Sequence, residues 1–213
     1  MTNKFQQILI WGLIILGLGA IVLGMIGIVS KKTEGTLINP VNSSDWIRGN
    51  RNAKVVLVEY SDFQCPACAY YSGMVKNLER DFLNDLAVVY RHFPLEQIHK
   101  YAKLSAQAAE AAGKQGKFWE MHDVLFEKQS EWSVSDDALQ NFISYAQTLG
   151  LDINRFQTEL NSRDVEDRIQ KNIVSAYNQK LAGTPTFFLN GKQISNPRDY
   201  EEFKNLIQKE ISK

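Results

Sequence analysis

The sequence contains few cysteines and histidines, and its charges show no excess of either sign. There are two cysteines and three histidines in 213 residues, and 24 basic residues balance 24 acidic ones. Two cysteines are too few for a small scaffold held together by disulfides. Balanced charge gives no indication of nucleic-acid binding. No internal repeat or low-complexity stretch is apparent, so the composition indicates one ordinary globular domain.

Charged side chains are also absent from one long stretch near the N-terminus. Residues 8–29 are apolar or glycine throughout, and as a helix they would extend about 33 Å, enough to cross a bilayer. No small-residue cleavage site precedes Ser30, so we interpret this stretch as an uncleaved transmembrane anchor after a short tail, residues 1–7. Lysines flank it on both sides, and the charge pattern therefore does not orient it.

The two cysteines are three positions apart, in Cys65-Pro66-Ala67-Cys68, soon after a β-branched run at residues 54–60. If that run is a strand and a helix follows, Cys65 lies at the helix N-terminus with Cys68 one turn inside. Backbone N–H groups and the helix dipole stabilise a thiolate there. Pro66 suits the first helical turn, where its missing N–H is not needed. Because the second thiol can close a disulfide and release a captured group, the spacing predicts thiol–disulfide exchange.

A structural or metal-binding cysteine pair is the alternative interpretation. A zinc site needs about four ligands, and the sequence offers only His92, His99 and His122 besides the cysteines, none at ligand spacing. No metal site is therefore predicted. His92 ends a predicted strand and is expected at the same sheet edge as Cys65, as a hydrogen-bonded structural residue. His99 and His122 have no predicted role.

Strands and helices are predicted on both sides of the cysteines. A strand at 54–60, a helix at 66–82 and a strand at 86–93 predict a right-handed βαβ unit with parallel strands. From about residue 99 to residue 182, apolar residues recur at helical spacing, which predicts a block of helices. Residues 186–189 are then β-prone, and the Asn-Gly dipeptide after them is typical of a tight hairpin turn.

These elements and two motifs resemble a known family. Phe-Gln-Cys-Pro-Ala-Cys at residues 63–68 and Gly-Thr-Pro-Thr-Phe-Phe at residues 183–188, with a helical block between them, are similar to DsbA-type disulfide oxidoreductases of the thioredoxin superfamily. The resemblance is to membrane-anchored bacterial members and covers about residues 45–213. It implies an α/β, thioredoxin-like fold with a helical insertion, preceded by one transmembrane helix.

The resemblance also divides the chain. A DsbA-like domain is expected at residues 53–213, with thioredoxin parts at about 53–98 and 183–213 and the helical insertion at about 99–182. Residues 30–52 are polar and turn-rich. They are predicted to be a flexible linker between the anchor and this domain.

Family roles carry over to matching positions near the cysteines. The resemblance implies that Cys65 is the nucleophile and Cys68 the resolving thiol. Ala67 departs from the strongest oxidants, which have a histidine there, so the pKa of Cys65 and the oxidising power are expected to be less extreme. Glu59 is implied to move protons for Cys68. An ionisable residue in a central strand is costly without such a role, although pairing with a cation is an alternative.

Thr184 and Pro185 are implied to form the second half of the site. In the family this proline peptide bond is cis, and the backbone of the preceding residue pairs with an extended substrate. Phe63 and Gln64 are expected to border the substrate groove. From sequence alone, Thr184-Pro185 is simply a turn ahead of a strand.

The expected activity is the introduction of disulfides into reduced or unfolded secreted proteins through the Cys65–Cys68 disulfide, without a bound cofactor. A membrane redox partner is expected to reoxidise the site, and the N-terminal helix to anchor the protein in the lipid bilayer of the cell membrane. The catalytic domain is placed outside the cytoplasm because disulfide chemistry suits an oxidising compartment. The alternatives are a reductase or isomerase, a non-catalytic chaperone or binding module, and a cytoplasm-facing thiol sensor.

Overall fold

The computed structural model describes residues 35–213 and four isolated residues before them: Asn3, Trp11, Leu13 and Ile14. The chain divides into two units, Met1–Glu34 and Gly35–Lys213. The predicted anchor at residues 8–29 therefore lies almost wholly outside the described residues. Within the described residues, no helix has both the length and the apolar character needed to span a membrane.

A five-stranded mixed sheet forms the centre of the second unit, in the order β1-β3-β2-β4-β5. Strands β2 and β3 are parallel, as predicted, and the other neighbours are antiparallel. The central strand β2 is rich in valine, which suits a strand covered on both faces. The strands are β1 (Trp46–Gly49), β2 (Val55–Ser61), β3 (Leu86–His92), β4 (Thr186–Leu189) and β5 (Lys192–Ile194).

Helices cover both faces of the sheet and form the insertion. They are α1 (Pro66–Asp81), α2 (Ala102–Gly113), α3 (Phe118–Glu127), α4 (Gln129–Trp132), α5 (Ala138–Thr148), α6 (Ile153–Leu160), α7 (Arg163–Asn178) and α8 (Tyr200–Ile211). On one face, α1 and α8 pack through Leu78 and Phe203 against β2, β3 and β4. On the other, Ala176 of α7 packs on Tyr60 and Phe188. Helices α2 to α6 share the core of the predicted insertion.

The predicted linker at residues 30–52 is too long. From Gly35 the chain is bound to the domain: Leu37 N–H donates to Gly191 O at 2.8 Å, and Gln193 N–H donates to Gly35 O at 2.7 Å. Strand β1 follows and pairs with β3 at the sheet edge. The sequence does not predict this strand, because it has only four residues and contacts with distant residues hold it in place.

The Trp46 side chain fixes β1 against the insertion. Its ring stacks on Phe118 with centroids 4.4 Å apart, and its Nε1–H donates to Glu110 Oε1 at 2.8 Å. A Cβ on Gly113 would lie 2.5 Å from this ring, so the ring occupies space that only a glycine leaves free. Strand β1 is therefore part of the domain core.

A buried ion pair fixes the segment that precedes β1. Arg91 Nε and Asp45 Oδ1 are 2.8 Å apart, with side chains 3% and 4% exposed, and Arg91 Nη2 donates to Asp45 Oδ2 at 2.9 Å. The same guanidinium donates to the Asn39 carbonyl and the Tyr60 hydroxyl. Because both partners are charged and their remaining hydrogen-bonding groups are used, the pair tolerates burial only while it stays complete.

The substitution Asp45→Ala tests whether this segment belongs to the domain. It leaves the buried Arg91 without its carboxylate, which should lower the free energy of unfolding by about 3–5 kcal/mol. Asp164→Ala, which breaks a surface pair with Lys114, is the control and should have no measurable effect. Denaturant unfolding of the full-length variants in detergent measures both. Equal stability of the two variants would contradict the attachment of this segment to the domain and would support the flexible linker that the sequence predicts.

Candidate active site

Both cysteines lie where the parallel strands β2 and β3 end. Strand β2 ends at Ser61, and a short turn leads to Cys65, the N-cap residue of α1. The Cys65 N–H donates to Asp62 O at 3.1 Å. Cys65 is 7% exposed and Cys68 is 0% exposed, and both are free thiols. Cys65 therefore keeps some exposed surface, whereas Cys68 has none.

The start of α1 stabilises a thiolate at Cys65. Pro66 occupies the first helical position and has no N–H, which leaves the N–H groups of Ala67 and Cys68 as donors. A hydrogen bond from the Cys68 thiol is the main cause that lowers the pKa of Cys65 to about 5, helped by those two N–H groups and Thr184 and opposed by burial. At neutral pH, reduced Cys65 is therefore largely ionised.

Cys68 behaves in the opposite way. Burial raises its pKa well above the ordinary value, and the hydrogen bond with Cys65 and the charge of Glu59 raise it further. A thiol that is buried and already donates to a neighbouring sulfur keeps its proton. The structure thus separates an ionised outer sulfur from a protonated inner one.

Glu59 lies in the middle of β2, on the sheet face that α1 covers. It is in register with Tyr90 of β3 and Phe187 of β4 and is 3% exposed. Its Oε1 has no hydrogen-bond partner within residues 35–213. Burial raises the pKa of Glu59 to about 7, and the nearby Ser61 hydroxyl opposes this rise in part. The carboxyl group can therefore hold or release a proton near neutral pH.

The loop at Thr184 and Pro185 forms the second wall of the site. The peptide bond between them is cis, and the Cys65 sulfur lies 3.6 Å from the Thr184 carbonyl oxygen. Asn196 Nδ2 donates to Pro185 O at 3.0 Å, and Thr186 Oγ1 donates to the carbonyl oxygen three residues before it at 2.8 Å. These bonds hold the loop beside Cys65.

Phe63 does not border an open groove, and that prediction was wrong. Its side chain is 1% exposed, and its ring stacks on Tyr90 with centroids 4.9 Å apart. Phe63 is therefore packed in the aromatic core of the insertion. Gln64 is partly buried; its Oε1 accepts from Tyr101 N–H and its Nε2 donates to Ser133 O at 3.3 Å. Its amide therefore joins the active-site turn to the insertion.

Two further residues that sequence analysis missed hold the same turn. Gln129 Nε2 donates to Phe63 O at 2.7 Å and to Cys65 O at 2.9 Å. The buried Asp62 carboxylate lies 2.7 Å from His99 Nδ1. No sequence signal marks Gln129, because its partners are more than sixty positions away. Asp62 was recognisable only as an acid close to Cys65.

The other two histidines are buried beside the aromatic core. His92 Nε2 lies 2.9 Å from Glu110 Oε1, and His122 Nδ1 lies 2.8 Å from Asp123 Oδ1. Burial lowers the pKa of His122 to about 4. Within residues 35–213, no three His, Cys, Asp or Glu side chains come together as metal ligands.

The chain belongs to the thioredoxin family, because the family model described as Thioredoxin matches residues 42–209. It is also similar to the Na(+)/H(+) antiporter NhaA 1 of Salinispora arenicola, with 44% identity over 158 residues, which are 74% of this chain and 23% of that protein. The chain thus spans about a quarter of the length of the curated relatives it matches.

Solved structures share the fold. Oxidised BdbD from Bacillus subtilis has a TM-score of 0.71 and 24% identity, over 85% of this chain and 100% of that chain. The thiol-disulfide exchange protein alpha-DsbA2 from Wolbachia pipientis has a TM-score of 0.68 and 18% identity, over 79% of this chain and 88% of that chain. The predicted thioredoxin-like α/β fold with DsbA-like neighbours is confirmed.

The ionisation of Cys65 is measurable by alkylation. Iodoacetamide should modify Cys65 of the reduced chain with an apparent pKa of about 5 and should leave Cys68 unmodified. Cys68→Ala removes the main stabilising hydrogen bond, so the pKa of Cys65 should rise in that variant. Ser72→Ala, one turn further along α1, is the control and should leave it unchanged. An apparent pKa near the ordinary 9.0 in the native chain would contradict this electrostatic account.

The burial of Glu59 makes stability depend on pH. Its pKa is about 7 in the fold against an ordinary 4.5, so ionisation destabilises the fold progressively as pH rises through that range, by roughly 3 kcal/mol in full. Glu59→Gln should therefore be more stable than the native chain at pH 8, and its advantage should shrink towards pH 4. Urea unfolding of the reduced chain in detergent measures this difference. Glu166→Gln, at the surface, is the control; a Glu59→Gln advantage independent of pH would rule out ionisation as its cause.

Proposed function

We propose that this thioredoxin-family chain is a thiol–disulfide oxidoreductase that donates its Cys65–Cys68 disulfide to reduced proteins. The supporting observation is the contrast between the two thiols: burial and hydrogen bonding raise the pKa of Cys68, whereas the pKa of the outer Cys65 is about 5. A thiol of low pKa is a good leaving group in disulfide exchange. The site is therefore suited to releasing an oxidised product.

The exchange takes place in two steps. A thiolate of the reduced protein attacks the Cys65 sulfur, the Cys65–Cys68 bond breaks, and Cys68 leaves with the electron pair and takes a proton that Glu59 supplies. A second thiolate of the substrate protein then attacks the substrate sulfur of the mixed disulfide, and Cys65 leaves as a thiolate. The substrate loses two electrons and gains a disulfide, and the enzyme's pair is reduced. No other oxidant and no bound cofactor takes part.

The pKa of Cys65 supports the oxidising direction over the reductase or isomerase. Thiols in this motif range from roughly 3.5 in a strong oxidant to about 7 in thioredoxin, and the pKa of Cys65, about 5, lies between them. This is the direction expected when Ala67 replaces a histidine. A non-catalytic binding module with a fixed disulfide has no use for a buried Glu59 whose pKa lies near neutrality.

Thr184 is the proposed point of substrate attachment. A peptide strand that pairs with its backbone would carry a cysteine past the Cys65 sulfur, because that sulfur and the Thr184 carbonyl oxygen are only 3.6 Å apart. Backbone pairing is tolerant of side-chain sequence. This suits an enzyme that acts on many unfolded proteins.

The proposed location is the cell membrane, with a single transmembrane anchor at residues 8–29 and the catalytic domain outside the cytoplasm. The apolar length of that stretch and the need for an oxidising compartment support this arrangement. The substrates would then be reduced or unfolded secreted proteins. A membrane redox partner would reoxidise the pair by accepting its two electrons.

The equilibrium reduction potential of the Cys65–Cys68 pair against glutathione, in the full-length chain, tests the direction. A disulfide donor should give a value towards about −120 mV, the potential of a strong oxidant of this fold. A value near about −270 mV, typical of thioredoxin, would overturn the oxidase and favour the reductase.

Variants of the two cysteines test the chemistry itself. Cys65→Ser should abolish the oxidation of a reduced, unfolded test protein, because no attackable sulfur remains. Cys68→Ser should accumulate mixed disulfides at Cys65, visible on non-reducing gels and lost with a reductant. The binding module predicts instead that Cys65→Ser keeps full function.

A further inference from the structure

A buried cluster of polar groups lies on the sheet face beneath Cys68. Glu59 and Ser61 are two residues apart on β2, so their side chains point to the same face. Tyr90 is the register partner of Glu59 on the parallel strand β3 and points the same way. Helix α1, which carries Cys68, covers this face. The three cluster residues are 3%, 1% and 2% exposed, respectively.

Each member of the cluster has a polar atom that is not satisfied by the protein. Glu59 Oε1, Ser61 Oγ and Tyr90 OH have no hydrogen-bond partner within residues 35–213, and they are three of the five such buried side-chain atoms there. Leaving a buried polar group unpaired costs roughly 1–3 kcal/mol. A fold that keeps three of them next to one thiol gives up stability at that place, which points to a functional need.

Ser61 ends β2, on the same face as Glu59 and closer to the start of α1. Burial is the main cause that raises the pKa of Glu59, Cys68 and Tyr90, and the nearby Ser61 hydroxyl opposes each rise. The Tyr90 ring is fixed by stacking on Phe63 at 4.9 Å, so its hydroxyl cannot turn away. Burial raises the pKa of Tyr90 well above its ordinary value. That hydroxyl therefore stays protonated.

We propose that the hydroxyl groups of Ser61 and Tyr90 relay the proton between the carboxyl group of Glu59 and the sulfur of Cys68. This inference rests on the proposed disulfide exchange. When Cys68 leaves as a thiolate, the Glu59 proton passes to a hydroxyl oxygen and the proton of that hydroxyl passes to the Cys68 sulfur, so the products are a carboxylate and a thiol. In the reverse direction, the thiol proton returns to the carboxylate while the Cys68 sulfur attacks the mixed disulfide at Cys65, and the captured thiolate leaves.

Other titratable groups surround the cluster and must be distinguished from Glu59 in any pH profile. His92 and His122 place their rings 5.2 Å and 5.0 Å from the Tyr90 ring. The remaining charged or titratable neighbours are Arg48 on β1, Asp62 after β2, Cys65 before α1, Glu79 on α1, Glu110 on α2 and Asp123 on α3. On β4, the register partner of Glu59 is Phe187, which has no charge.

The test follows the release of thionitrobenzoate when the reduced full-length chain, in detergent, is mixed with equimolar dithiobis(nitrobenzoic acid) between pH 5 and pH 9. The first phase reports attack by Cys65, and the second reports displacement by Cys68. The variants are Ser61→Ala, Tyr90→Phe and their combination, each alone and with Glu59→Gln. Tyr145→Phe is the matched control, because its hydroxyl is also buried and unpaired within residues 35–213 but belongs to the core of the insertion.

The double variant should slow the second phase by at least about tenfold, since a general acid–base contribution is typically about 10²–10⁴-fold, and should lose the inflection near pH 7. Its first phase should be unchanged, which also reports an intact fold. Adding Glu59→Gln to the double variant should slow the second phase no further, because both changes interrupt the same proton path. Loss of the inflection in Glu59→Gln alone assigns it to Glu59 rather than to His92 or His122.

Three results would overturn the relay: a second phase within twofold of the native rate in the double variant, a full additive loss on adding Glu59→Gln, or an equal effect of Tyr145→Phe. If the double variant does not fold, the two single variants decide the same question, with a smaller expected slowing. A native chain without any second phase would instead overturn the proposed exchange chemistry and the relay with it. The two failures are therefore distinguishable.

Discussion

The interaction between the thiols of Cys65 and Cys68 links the two halves of the site: the Cys68 thiol lowers the pKa of Cys65, and burial together with the Cys65 thiol raises the pKa of Cys68. It forms because Cys65 caps α1 while Cys68 lies one turn inside, packed against the sheet. Pro66 suits the first helical position, because its ring favours a helical backbone and its missing N–H is not needed there. The position of the first turn of α1 thus determines which thiol is ionised and partly exposed and which one is buried and protonated.

The centre of the sheet contains a buried group that titrates near neutral pH. Glu59 is buried on the central strand β2, and Tyr90 lies beside it in register on β3. Placing unpaired polar atoms there lowers stability, and the surrounding aromatic and aliphatic core makes up for it. The same burial that destabilises the carboxylate brings its pKa to about 7, which is useful for proton transfer at neutral pH.

Contacts from distant parts of the chain hold this arrangement in place. Gln64 and Gln129 connect the active-site turn to the insertion, and the Arg91–Asp45 pair attaches the N-terminal segment to the sheet. The insertion therefore positions the turn that carries Cys65 as well as covering the sheet. Rigid support of this kind keeps the Cys65 sulfur in a fixed geometry.

The sequence by itself determined the βαβ unit, the place of Cys65 and Cys68 at a helix start, and the helical block, because these follow from local periodicity and short spacings. Only the tertiary structure decided that β1 forms the sheet edge, that Phe63 is buried, and that Glu59 and Tyr90 lie in register on the face that α1 covers. Those outcomes depend on contacts between residues far apart in the chain, such as Trp46 on Phe118. Local sequence patterns do not predict such contacts, because the contacts depend on how helices and strands from distant parts of the chain pack together.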